Sequence, residues 1–203
     1  MIRLSGGRFF ALPEEAAAPF AVGAEISDED VERLDRIDQY LRGRDKALRM
    51  LALRGRSRRE IDTALRGIGV GDAVRGGILG ELEETGLVDD ARFAREFVSV
   101  KKDVRRLGPH RLRADLQKLG VGRNVVDGAL ATYGADDQLQ LARGLAEKAV
   151  RQAPVDEKAV RRVASMLQRK GFDYSVVNRV ASELAARIQR GSGDAEWIGP
   201  VDE

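Results

Sequence analysis

The chain has no cysteine and a single histidine, His110, among its 203 residues. Without thiols it can form no disulfide, thiolate nucleophile, iron–sulfur cluster or cysteine zinc site, and one imidazole is too little for most metal binding or base chemistry. Aromatic residues make up 5% of the chain and prolines number five. No run approaches the ~18 consecutive apolar residues of a membrane span, and Met1-Ile2-Arg3-Leu4-Ser5 lacks the apolar core of a signal peptide, so a cytoplasmic location is expected. Nucleotide loops are missing too. Gly67-Ile68-Gly69-Val70-Gly71 does not have the G-x-G-x-x-G spacing and follows a helical pattern where that fingerprint needs a strand, and no G-x-x-x-x-G-K-[ST] occurs. No set of nucleophile, base and orienting group can be assembled, so neither enzymatic activity nor any cofactor or metal is expected.

What is present is a folded composition, 43% hydrophobic and 33% charged, of a length suited to one large domain or two small ones. The formal charge of +2 hides a pattern. Residues 1–43 carry five arginines against nine acids, and residues 191–203 carry four acids and no base. The middle, 44–190, therefore holds 30 basic against 20 acidic side chains, a local charge of +10. Such an excess suits a polyanion or an acidic protein surface, or else an ordinary solvated helical surface.

An internal repeat organises that middle. Leu65-Arg66-Gly67-Ile68-Gly69-Val70, Leu116-Gln117-Lys118-Leu119-Gly120-Val121 and Leu167-Gln168-Arg169-Lys170-Gly171-Phe172 share a leucine, three residues, a glycine and an apolar residue, with the glycines 51 apart. Four before each leucine lies Ile61, Leu112 or Val163, and five beyond each glycine lies Val74, Val125 or Val176. Ile78 and Leu82, Ala129 and Tyr133, and Val180 and Leu184 follow. Each unit predicts helix, glycine stop, helix, with Ile61, Ala64, Leu65 and Ile68 on one buried face. Ser57-Arg58-Arg59-Glu60 is a capping box, and Asp72 and Asp173 are candidate caps of the following helices. A further helix joins successive units, marked by Phe93, Ala94, Phe97 and Val104 and later by Leu139, Ala142, Leu145, Ala146 and Ala149, with Asp89-Asp90 capping the Phe93 helix. The expected fold is all-α, about three tandem three-helix repeats in an elongated curved array. Its units are 44–88, 89–137 and 138–190. Gly76, Gly77 and Gly80 weaken the helix expected over 73–85; either another helix approaches closely there or the first unit bends, and close packing is the expected reason.

The ends differ. Arg8-Phe9-Phe10-Ala11-Leu12 and Pro19-Phe20-Ala21-Val22 are candidate strands of a short hairpin in an extension spanning 1–43, where Ser27-Asp28-Glu29-Asp30 caps a helix carrying Val31, Leu34 and Ile37. The acidic tail 191–203 is expected to be disordered.

Several linked motifs resemble the RecX family, regulators of the bacterial recombinase RecA. They are Ala47, Leu51, Arg54-Gly55-Arg56-Ser57-Arg58-Arg59-Glu60-Ile61, Leu65 and Gly69; then Gly86-Leu87-Val88-Asp89-Asp90-Ala91-Arg92-Phe93-Ala94, the most distinctive. Gly108-Pro109, Leu112, Leu116 and Leu119-Gly120-Val121 come next, and Leu167 with Lys170-Gly171-Phe172 last. The resemblance covers about 44 to 186. Ile61 stands where leucine is more usual. The resemblance implies a molecule lying in the groove of the RecA filament on DNA, spanning neighbouring subunits and lowering filament growth, ATP hydrolysis, strand exchange and coprotease activity. DNA repair, homologous recombination and the SOS response are the processes it implies.

Function then rests on a surface. Two basic clusters are the candidates for partner binding: Arg54, Arg56, Arg58 and Arg59, and Lys101, Lys102, Arg105, Arg106, Arg111 and Arg113 around Gly108-Pro109. Guanidinium forks suit both carboxylates and phosphates. Arg59 with Asp62, and Arg111 with Asp115, are candidate surface pairs at helical spacing. His110 is expected to play a neutral polar role and not to bind metal. Glu81, Glu83 and Glu84 are expected to form a solvated face, and Phe93, Phe97 and Phe172 to be core. The expected partners are the RecA filament and single-stranded or duplex DNA within it, with no membrane and a monomeric state. The alternative is an autonomous DNA-binding protein of helix-turn-helix type.

Overall fold

The computed structural model describes residues 2–3, 7, 9–10, 12–151 and 155–193. Strands β1 (Ile2–Arg3) and β2 (Phe9–Phe10) precede helices α1 (Glu14–Ala17), α2 (Asp28–Leu53), α3 (Arg58–Gly67), α4 (Asp72–Glu84), α5 (Asp90–Arg105), α6 (Pro109–Lys118), α7 (Arg123–Leu130), α8 (Ala135–Val150), α9 (Glu157–Lys170) and α10 (Tyr174–Gly193). The chain divides into two compact units, 1–93 and 94–203.

In the first unit α2, α3 and α4 pack on one another around Ala47, Ile61, Leu65, Val70, Ile78, Leu79, Leu82 and Val88. Ser27 accepts from the Asp30 N–H to start α2, and the capping box of Ser57 and Glu60 starts α3. The former is an expected cap, and so is the latter. Asp72 is not a cap: Gly71 occupies that place, and the Asp72 carboxylate turns to Arg75 at 2.8 Å. α2 runs unbroken through positions 43 and 44.

The hairpin forms with a different partner from the one expected. Ile2 pairs with Phe10 and Arg3 with Phe9, antiparallel, while residues 14–17 are helical and Phe20–Val22 form no strand. Gly7 at φ +83 allows the chain to reverse between the strands, whereas Pro19 lacks an N–H and the alanines around it pack poorly in a sheet. Arg8 and Ala11 lie outside the described residues. So does the tail from 194 on, although α10 continues through Gly193, past the expected start of the tail.

In the second unit α8, α9 and α10 enclose a core of Leu139, Ala142, Ala146, Val150, Ala159, Val163, Leu167, Phe172, Val176, Val177, Val180 and Leu184. α6 packs on α7.

The three repeat glycines share one conformation, Gly69 at φ +79, Gly120 at +81 and Gly171 at +83. In each turn the glycine N–H donates to the carbonyl three residues back (Arg66, Gln117, Gln168), and the next residue's N–H donates to the repeat leucine carbonyl (Leu65, Leu116, Leu167). That bond pair is the Schellman closure, and Val70, Val121 and Phe172 bury the accompanying apolar contact. The same closure takes Ile68 off the helical face and leaves it 37% exposed, so it does not join the buried stripe. On α5 the buried stripe ends at Val98, and Val104 is 72% exposed. Ala149 is exposed too, with Val150 taking the core position.

Close packing explains a glycine other than those expected. A Cβ on Gly76, Gly77 or Gly80 would meet no neighbouring atom within 4 Å, whereas one on Gly43 would lie 2.6 Å from Ile78 Cδ1. The close approach of α2 and α4 is made through Gly43. Gly76→Ala and Gly77→Ala are therefore expected to stabilise the chain by about 0.5–1 kcal/mol each, because alanine loses less backbone entropy on folding. Urea unfolding midpoints check this, and a lowered midpoint would refute it.

Candidate functional site

The first basic cluster is built around one carboxylate. Arg54 donates from Nη2 to Glu60 Oε1 at 2.6 Å, Arg56 from Nη1 to the same oxygen at 3.2 Å, and the Ser57 N–H to Oε2 at 3.1 Å. Burial pushes the Glu60 carboxyl up, but the hydrogen bonds from Arg54, Ser57 and Arg56 outweigh it and hold the group below its usual range. Arg58 pairs with Glu83 at 2.8 Å, and its N–H, a free donor at the start of α3, is accepted by Asp90 Oδ1 at 2.8 Å. The acidic pair thus divides its work: Asp89 accepts from the Ala91 and Arg92 N–H groups to cap α5, while Asp90 caps α3. Arg59 is exposed and has no ion pair among the described residues. The expected Arg59 to Asp62 pair does not form, because Arg75 reaches Asp62 from α4 and Arg66 takes the other oxygen. Glu81 is not a solvated residue either; it accepts from the Tyr40 hydroxyl and from Arg44, which hold its carboxyl low.

The second cluster lies in the second unit. Lys102 donates to Asp137 at 2.6 Å and sits 4.7 Å from the Tyr133 ring centroid. Burial, then the nearby Asp137, Asp103 and Asp173, pushes the Tyr133 hydroxyl up to about 12, and it donates to the Leu107 carbonyl at 3.1 Å. Lys101 lies 5.5 Å from the Phe97 ring centroid, and Phe97 is only half-buried. Arg111 pairs with Asp115 at 3.2 Å as its spacing predicts, and Arg113 pairs with Asp127. Arg105 and Arg106 have exposed side chains with no ion pair among the described residues, and Arg106 sits at φ +52, a left-handed conformation costing a non-glycine residue about 1–2 kcal/mol. Lys102, Arg106, Asp137, Gln140 and Leu141 line an open depression of about 280 Å³. Of the ten expected cations, Arg54, Arg56, Arg58, Lys102, Arg111 and Arg113 are thus engaged by carboxylates of the chain itself, Lys101 lies over the Phe97 ring, and Arg59, Arg105 and Arg106 have no ion pair among the described residues.

Position in the fold is set by contacts that no local pattern announces. Gly108 and Gly171 touch backbone to backbone. A Cβ on Gly108 would lie 2.3 Å from the Gly171 carbonyl oxygen, and one on Gly171 would lie 2.3 Å from the Arg111 nitrogen. There the free donors of α6 meet the free acceptors of α9: the Gly108 N–H donates to Lys170 O at 2.8 Å and the His110 N–H to Gly171 O at 3.0 Å. Lys170 Nζ also donates to Arg105 O at 3.0 Å. His110 Nε2 lies 3.0 Å from Asp173 Oδ1, and no group of three or more candidate metal ligands occurs among the described residues. Gln39 accepts from the Gly71 N–H at 2.7 Å and Gln138 from the Asp173 N–H at 3.3 Å. Both N–H groups lie two residues after a repeat glycine, so the first and third repeats brace the same turn in the same way. The Asp173 carboxylate is itself held by Gln138 Nε2 at 2.9 Å.

Among the described residues, no helix is long and apolar enough to cross a membrane. Residues 89–130 match the description "RecX, second three-helix domain" and residues 136–181 match "RecX, third three-helix domain". The regulatory protein RecX of Geobacillus kaustophilus is 37% identical over 85% of this chain and 65% of its own length. That of Mycolicibacterium vanbaalenii is 33% identical over 70% of this chain and 83% of its own. Among solved structures, RecX from Lactobacillus salivarius superposes with a TM-score of 0.68 at 25% identity, over 73% of this chain and 98% of the other.

Proposed function

The chain belongs to the RecX family, and on that premise we propose that it is a non-catalytic regulator of the RecA recombinase. It docks through its basic helical repeats in the groove of the RecA filament on DNA and lowers filament growth, ATP hydrolysis, strand exchange and coprotease activity. The observation that carries this reading is the ordered match of the second and third three-helix units to the family, on a segment, 44–190, with a charge of +10. An array of that charge suits an acidic filament groove. The units act as repeats 44–88, 89–137 and 138–190, working as a monomer in the cytoplasm.

Cations already held by their own carboxylates have less to give a partner, so Arg59 and Arg105 are the informative positions. Reversing Arg56 would disturb Glu60 and the start of α3 and confuse binding with folding. The wild-type chain is expected to slow ATP hydrolysis by RecA on single-stranded DNA and to co-sediment with the filament. Arg59→Glu with Arg105→Glu is expected to weaken that inhibition about tenfold or more while circular dichroism stays helical, since two reversed rim charges act mainly on association. Absence of any effect of the wild type on hydrolysis or sedimentation sinks the reading; an unchanged double variant removes these two arginines from the surface. The helix-turn-helix alternative is disfavoured on α4, whose exposed residues between Val74 and Leu82 are Gly76 and Gly77, with no base-reading side chain.

A further inference from the structure

A third basic surface lies outside both clusters. On α9, Lys158, Arg162 and Arg169 are exposed and have no ion pair among the described residues; the recorded pair on that helix joins Arg161 to Glu157. At 100° per residue, positions 158, 162, 165 and 169 fall within about 60° of one another, so the three cations and Ser165 form one line roughly 16 Å long. Ala159, Val163 and Leu167 on the other side are buried in the core, Asp156 caps the start and the Gly171 closure fixes the end. The line is therefore held on a rigid platform.

The repeat shows why Arg162 has no ion pair among the described residues. In the 51-residue register Arg162 corresponds to Arg111, whose charge is met by Asp115 four residues on. Met166 stands at the place of Asp115 in the third repeat, so the neutralising carboxylate is missing there. Several arginines of the same unit are matched by carboxylates from other helices: Arg143 by Glu183, Arg187 by Glu147, Arg113 by Asp127.

We propose that this face of α9 binds DNA directly, through backbone phosphates and without reading base sequence. A protein partner of useful affinity would take an apolar or aromatic anchor at the centre of its footprint, and the line holds only lysine, arginine and serine, with Gln168 on its flank. Those are side chains that contact phosphates. The proposal adds a direct DNA contact to the RecA reading and does not depend on it, because its test contains no recombinase.

The test is fluorescence anisotropy of the full chain with labelled single-stranded and duplex 30-mers across a salt series. The wild type is compared with the triple variant Lys158→Gln, Arg162→Gln, Arg169→Gln, and with a control, Arg33→Gln, Arg36→Gln, Arg49→Gln, which removes the same charge from exposed, paired positions of α2. On whichever form the wild type binds, the α9 variant is expected to lose about tenfold or more at low salt, and its log K against log salt to flatten by about 2 to 3, the counterions no longer released when three phosphate contacts are lost. The control should lose clearly less. Equal losses in the two variants, or wild-type affinity and slope in the α9 variant, overturn the proposal. So does a wild type that binds neither oligonucleotide at low salt.

Discussion

Gly171→Ala is expected to be among the most damaging single substitutions of the chain, costing about 2–5 kcal/mol. Two causes add. The left-handed φ of +83 costs a residue with a Cβ about 1–2 kcal/mol, and the new methyl would lie 2.3 Å from the Arg111 nitrogen and 2.6 Å from its Cβ, an overpacking of about 1–3 kcal/mol. The chain supplies the controls that separate them. Gly69 has nearly the same backbone, φ +79, with nothing within 4 Å of the added carbon, so Gly69→Ala isolates the conformational part. Gly108 has an ordinary φ of −80 and a methyl there would lie 2.3 Å from Gly171 O, so Gly108→Ala isolates the steric part. Urea unfolding followed by circular dichroism should rank Gly171→Ala as the worst of the three. If it costs no more than Gly69→Ala, the packing of α6 on the α9 to α10 turn carries no weight.

Arg75→Met is expected to cost about 2–3 kcal/mol near pH 7. The Arg75 side chain is buried, the residue being 6% exposed, and its fork closes the first repeat: Nε donates to Asp62 Oδ1 at 2.8 Å, and Nη1 to the Val70 carbonyl at 2.9 Å and to Asp72 at 2.8 Å. Removing it leaves the Val70 carbonyl and Asp62 Oδ1 without their donor, while Arg66 still pairs with Asp62 Oδ2; the Asp62 side chain is 24% exposed, so water can reach it and limit the loss. Arg75→Lys keeps the charge and loses the fork, so it should recover only part. The pair also predicts a pH dependence. Hydrogen bonding from Arg75 holds the Asp62 carboxyl below its usual 3.8, so the unfolded state takes up the proton first. The stability it contributes is complete above 3.8 and is lost as pH falls through the lower folded value. The gap between wild type and Arg75→Met should therefore narrow from about pH 7 to roughly pH 2–3; a constant gap would mean that the Asp62 pair adds nothing.

The helices and their stops were legible because each depends on neighbours in the chain. Ser57 and Glu60 are three residues apart, Leu65 and Gly69 four, and backbone geometry alone turns those spacings into a cap and a Schellman closure. Charge was misread wherever the deciding partner was distant. Asp62 went to Arg75 from another helix and not to Arg59, and Glu81, which looked solvated, met Tyr40 and Arg44 some forty positions away. The glycines divide in the same way. A left-handed φ at Gly171 could be read from its place in the repeat, but its contact with Gly108, 63 positions back, could not.

The sequence by itself determined the helical repeat, its period, the left-handed glycine at the end of each first hairpin helix and the family resemblance. The first three follow from periodicity and local hydrogen bonding, and the resemblance from the order of its motifs. Tertiary structure decided which cations remain free, because an arginine is silenced only when the fold brings a carboxylate to it. The formal charge of +2 could not show that Arg56 and Arg58 are spoken for while Lys158, Arg162 and Arg169 have no ion pair among the described residues.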